Sequence, residues 1–152
     1  MIEKYVNFFR AKPGCITFSP ASAVDIEETG AELTARGFSA LPAEYERLLS
    51  LTDGIIYNGF EFYGTKSRFR GEKNYTFPDI LAVNDGYRSY KFFENKVIFG
   101  NVSESMMYYD RKNGFFALAD RINLRSRVET PTLEELIKIF YDHSRHVYAM
   151  KK

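Results

Sequence analysis

Few side chains in this sequence are of the reactive kinds: one cysteine, Cys15, and two histidines, His143 and His146. A thiol becomes a nucleophile when a neighbouring imidazole or positive charge draws off its proton. Cys15 follows Pro13-Gly14 and stands far along the chain from both histidines. It reads as a small residue beside a strand or loop. Asp142, His143 and His146 crowd together, and imidazoles at i, i+3 have a spacing that suits a shared metal. A zinc site needs at least a third protein ligand, whereas cationic groups late in a helix already suit the negative end of its dipole. The second role is the one expected. No phosphate-cradling glycine motif, HExxH, nucleophile elbow or kinase signature occurs. The expectation is a non-catalytic chain with no metal and no cofactor.

Lys66, Arg68, Arg70 and Lys73 surround Phe69 and Tyr75, a pattern that suits phosphate contacts and base stacking on single-stranded nucleic acid. Arg121, Arg125 and Arg127 extend it, but Glu72, Asp79 and Asp120 interrupt it. The 21 basic and 20 acidic residues leave a formal charge of +1, without the excess that phosphate neutralisation requires. A solvated loop is expected there, and nucleic-acid binding ranks last among the alternatives.

These groups must be positioned by a fold. Hydrophobic residues make up 45% of the 152 and charged residues 27%, which suits a globular chain long enough to bury a core without disulfides. A lone cysteine allows no intramolecular disulfide. Residues 1–10 form a short helix that Lys12-Pro13-Gly14 breaks. A second helix begins near Ser22, with Ile26, Gly30 and Leu33 on one face, and stops at Gly37. A third starts at Pro42 and carries Tyr45, Leu48, Leu49 and Thr52 at i, i+3, i+4, i+7. Asn58-Gly59, between Ile55-Ile56-Tyr57 and Phe60-Glu61-Phe62-Tyr63, is the preferred pair for a type I′ hairpin. Residues 65–75 read as an irregular charged loop, and Asp79 to Asn84 as a short helix. Strands follow over Lys96 to Val102, Ser105 to Asp110 and Phe115 to Ala119, with a fourth over Ser126 to Glu129. Thr132 and Glu135 match a capping box. Beyond it, Leu133, Leu136, Ile137, Phe140, Tyr141, Ser144, Val147 and Tyr148 form one helical stripe.

The expected fold class is therefore α+β: a mainly antiparallel sheet of five to six strands, packed by N-terminal helices and a C-terminal helix. No internal repeat or linker divides the chain, so residues 1–152 are expected to form one domain. No apolar run approaches the roughly 20 residues of a membrane span. Met1 to Arg10 lacks a signal-peptide core. A cytoplasmic, membrane-free protein is the expectation.

In order and spacing, several short motifs resemble the SUKH superfamily, in its YrhA-like branch. They are Leu41-Pro42-Ala43-Glu44-Tyr45, Leu48-Leu49, Thr52-Asp53-Gly54, Tyr57-Asn58-Gly59-Phe60, Phe62-Tyr63-Gly64, Asp79-Ile80-Leu81, Val97-Ile98-Phe99-Gly100, Tyr108-Tyr109-Asp110 and Thr132-Leu133-Glu134-Glu135-Leu136. The pattern runs from about Ser22 to Tyr148. The resemblance implies helices packed on an antiparallel sheet, and an immunity protein that binds and neutralises a cognate toxin domain, often a nuclease. It implies no shared catalytic residues. The alternative is an interaction scaffold of the same fold.

Two surfaces suit such binding. Asp25, Glu28 and Glu32 form an acidic stripe that would steer a basic partner. Strand alternation sets Glu61 and Tyr63 opposite Phe60 and Phe62, so a patch of Tyr57, Asn58, Glu61 and Tyr63 would offer aromatic anchors beside acid.

Overall fold

The computed structural model describes residues 2–139, apart from the side chain of Arg127. The helices are α1 (Ile2–Arg10), α2 (Ala23–Ala35), α3 (Ala43–Leu51), α4 (Ile80–Asp85) and α5 (133–139). The strands are β1 (Ile16–Thr17), β2 (Ile55–Tyr57), β3 (Phe60–Phe62), β4 (Arg68–Arg70), β5 (Tyr75–Phe77), β6 (Lys96–Val102), β7 (Ser105–Asp110), β8 (Phe115–Asp120) and β9 (Ser126–Thr130). All pairings are antiparallel: a seven-stranded sheet in the order β1-β2-β3-β6-β7-β8-β9, and a separate β4-β5 hairpin.

The α+β class holds, with more strands than the five to six expected. The excess comes from pieces of two or three residues, too short for a period-2 pattern to register. Residues 65–75, read as irregular, enter a hairpin whose strands flank a turn with Asn74 at φ 48°. The described part of the C-terminal stripe is buried at Leu133, Leu136 and Ile137. Phe140, Tyr141, Asp142, His143, Ser144, His146, Val147 and Tyr148 lie outside the described residues.

Local chemistry sets most boundaries. Ser22 caps α2 by accepting the Asp25 N–H at 3.1 Å, and Asp79 caps α4 through the Ala82 N–H at 2.8 Å. Thr132 accepts the Glu135 N–H at 3.1 Å, and the Glu44 carboxylate reaches across from α3 to the Leu133 N–H at the same distance. Asn58 and Gly59, at φ 41° and 89°, supply the left-handed pair that the β2-β3 turn requires.

Cross-strand register assigns the faces. Phe62, Gly100, Met107 and Leu118 line up on one face, as do Val97, Tyr109 and Phe116. Helix α1 lays Phe9 on Phe60 and Phe62 there, and α3 lays Tyr45 on Phe99, which packs edge-on to Phe116. The opposite face carries Ile98, Asn101, Met106 and Tyr108 beneath α4 and the 87–95 segment, whose Phe92 and Phe93 pack on Tyr108.

A β-bulge at Phe99 shifts the β6-β7 register, and two buried side chains bond the backbone beside it. The hydroxyl of fully buried Tyr45 bonds the Phe99 carbonyl at 3.0 Å and also the Tyr63 carbonyl. Asn84, equally buried, accepts the Ile98 N–H at 2.8 Å and donates to the carbonyls of Ile98 at 2.8 Å and Ile80 at 2.7 Å.

Two glycines answer to crowding. A Cβ on Gly64 would stand 2.6 Å from the Asp53 carboxylate, and one on Gly100 would stand 2.6 Å from the Glu61 carbonyl. The residues that carry the family resemblance thus sit chiefly at core and turn positions.

Candidate protein-binding surface

The expected acidic stripe lies along α2. Glu28 and Glu32 are exposed, and Glu32 bonds Arg36 one turn on at 3.3 Å. Arg36 also pairs with Asp85 at the end of α4, fastening the two helices together. Asp25, half-buried in the first turn, pairs with Lys66 at 3.4 Å. That contact brings the loop leading into β4 against the stripe, an adjacency that sequence distance conceals.

The second expected patch divides between the two sheet faces. Tyr57 is paired with Phe60 and turns toward the helices, where its ring stands edge-on to Phe9 at 6.2 Å. Asn58 is exposed at the turn. Glu61 and Tyr63 lie on the opposite face, as alternation requires, but Tyr63 is not the exposed anchor expected: it is 8% exposed. Its N–H bonds the Phe99 carbonyl at 2.9 Å and its ring packs on Phe77, so β5 covers it. Burial, with Glu61 adding to it, pushes the Tyr63 phenol far above its ordinary range.

Glu61 accepts a 2.8 Å hydrogen bond from Tyr75 of β5. The β4-β5 register then sorts the hairpin: Arg68, Arg70, Tyr75 and Phe77 share one side, leaving Phe69 and Thr76 on the other. Phe69 is 69% exposed as a result. Its base is well anchored. Arg68 bonds the buried Asp53 carboxylate at 3.1 Å and lies 4.7 Å above the Phe18 ring, which stacks on Phe77. Thr65 completes the Asp53 cage through its N–H at 2.7 Å and its hydroxyl.

Three of the four cations in the basic stretch are engaged: Lys66 with Asp25, Arg68 with Asp53, and Arg70 with Glu72 at 3.0 Å. Charge along the hairpin is therefore largely balanced internally. The aromatic interleaving was visible in the sequence, but which ring faces outward depends on a hairpin register that was not.

Beneath α4 the same sheet face opens into a cleft of about 390 Å³, lined in part by Tyr63, Tyr87, Asn101 and Arg121. Sequence reasoning placed Arg121 only in a basic extension and did not single out Asn101 or Tyr87. Their convergence is tertiary and leaves no spacing signal.

Cys15 is half-buried, and desolvation pushes its thiol up to about 11, against nucleophilic behaviour at neutral pH. Among the described residues, no cluster of three or more His, Cys, Asp or Glu is placed to hold a metal ion. No helix among them is long and apolar enough to cross a membrane. No protein-family model matches the chain, and no curated protein matches it.

Proposed function

We propose that this chain is a non-catalytic binding domain of the immunity type, which acts in the cytoplasm and neutralises a cognate toxin domain by covering its surface. The observation that carries the reading is the presentation of Phe69. A large apolar ring stands out in solvent on a short hairpin whose other side is fixed by an ion pair to the buried Asp53 and a ring stack. A pre-positioned aromatic of this kind loses little freedom on docking and suits an interface anchor. The exposed Glu28 and Glu32 lie on the helix whose Asp25 meets the hairpin loop, and they supply charge for steering a basic partner. The SUKH resemblance supplies the class of partner, a toxin domain and often a nuclease.

The test is a calorimetric titration with the C-terminal domain of a large secreted protein encoded beside this one. One-to-one binding is expected, and Phe69→Ala should weaken it roughly 30-fold, the equivalent of about 2 kcal/mol for an interface anchor. Absence of heat with every such domain sinks the toxin reading. Full affinity in both Phe69→Ala and a Glu28→Gln/Glu32→Gln double variant moves the interface elsewhere.

A further inference from the structure

The cleft beneath α4 has features that a protein–protein patch on β4-β5 does not use. Its volume, about 390 Å³, falls within the roughly 300–1,000 Å³ of small-ligand sites. Ile98 and Met106 of the sheet and Val83 of α4 contribute apolar wall, while polar groups come from Tyr63, Asn101 and Arg121.

Two of those polar groups have unused donor capacity. The body of Tyr63 is buried, yet its hydroxyl makes no hydrogen bond to any described residue although the residue lines the cleft. Arg121 donates to the Asn101 Oδ1 through one guanidinium nitrogen, and no carboxylate among the described residues pairs with it. Asn101 is itself held, since its Nδ2 donates to the Ser103 carbonyl at 3.2 Å, which fixes its oxygen as the acceptor. The Arg121 backbone N–H bonds the Glu104 carbonyl at 3.1 Å. The Arg121 side chain is thus held at its backbone and at one guanidinium nitrogen, with most of its fork of donors unspent. Glu61, the cross-strand partner of Asn101, is turned to the Tyr75 hydroxyl.

A phenol that stays protonated and a guanidinium that stays charged are both donors, and together they select an acceptor with negative charge. We propose that the cleft binds a carboxylate carried on an apolar group about the size of a benzyl side chain. Arg121 and the Tyr63 hydroxyl hold the carboxylate, and Ile98, Met106 and Val83 enclose the apolar part. Asn101 is the positioning residue for the guanidinium. Two sources offer this chemistry: a free small aromatic acid, or the C-terminal residue of a peptide. The site stands independently of the toxin reading.

The test uses the whole chain and two probes at millimolar concentration, 3-phenylpropionate and an acetylated dipeptide ending in free phenylalanine, each beside its neutral carboxamide. Binding is followed by amide chemical shifts. Expected are shifts concentrated at residues 82–87, 98, 101, 106 and 121, with each carboxamide about tenfold weaker, as for loss of one charge-assisted hydrogen bond. Arg121→Gln, a surface substitution, should retain the spectrum of the folded chain and bind acid and carboxamide alike. Tighter binding of the peptide assigns the source to a chain terminus, and tighter binding of the free acid assigns it to a metabolite-sized ligand. Shifts from neither acid, or equal affinity for acid and carboxamide in the unsubstituted protein, overturn the proposal.

Discussion

Asn84 shows how much one side chain carries in this molecule. Strand β3 pairs with β6 only from Gly100 to Val102, so the backbone of Ile98 lacks a strand partner on that side. The Asn84 amide, with one acceptor and two donors, takes the place of that missing strand and satisfies both polar groups of Ile98. Replacing it with Ala strands buried donors and acceptors, and Asn84→Ala should cost about 3 kcal/mol in urea-induced unfolding. A loss below about 1 kcal/mol would mean that water replaces the amide without penalty. Nothing in the sequence marked Asn84 for this role. It reads as the last residue of a short helix, and the need it meets arises because β3 stops pairing with β6 at Gly100 and leaves Ile98 uncovered on that side. Tyr45, by contrast, was legible as a core residue from its helical spacing. Its hydroxyl contacts at the Phe99 bulge were not.

Among the elements, the β4-β5 hairpin is the one that intrinsic preference explains least. Its strands have three residues each, two of those in β4 being arginines, and an isolated hairpin of this kind has little stability in water. The hairpin holds because Arg68 reaches Asp53, Tyr75 reaches Glu61 and Phe77 is buried. Arg68→Ala leaves the Asp53 carboxylate buried with only Thr65 as donor, and should cost about 2–3 kcal/mol. Amide exchange should quicken at residues 68–70 and 75–77 more than in β6–β8. Unchanged exchange in the hairpin would show that Arg68 is not its anchor. The longer elements were readable because periods of 3.6 and 2 persist through them, and because Ser22, Asp79, Thr132 and Asn58-Gly59 mark their ends. Strands β1, β4 and β5 were unreadable because two or three residues are too few for a period to show, and because β1 finds its partner, and the hairpin its anchors Asp53 and Glu61, elsewhere in the chain.

At the scale of the whole molecule, buried phenols tie stability to alkaline pH. Burial raises Tyr45 and Tyr63 well above the ordinary tyrosine value of 10.0, and partial desolvation with the Glu61 hydrogen bond raises the more exposed Tyr75 to about 12. For an acid whose folded pKa is raised, the contribution is fully present below the unfolded pKa and is lost as pH rises toward the folded one. Melting temperature should therefore fall steadily from about pH 10 upward, and less steeply in Tyr45→Phe; a flat profile would contradict the linkage. The surface was less legible than the core for a related reason. Alternation placed Glu61 and Tyr63 on one side of β3, yet what covers that side comes from β5 and α4, so pattern alone did not reveal that Tyr63 is enclosed. The ends of the seven-stranded sheet have a further consequence. Strand β1 offers two residues of open edge, and β9 is interrupted by a register shift opposite Leu118 and Ala119. Among the described residues, an extended peptide thus finds no long, regular row of backbone groups to join as an added strand. Under the proposed binding role, recognition falls to side chains, and a partner can then change by point substitution while the sheet beneath stays the same.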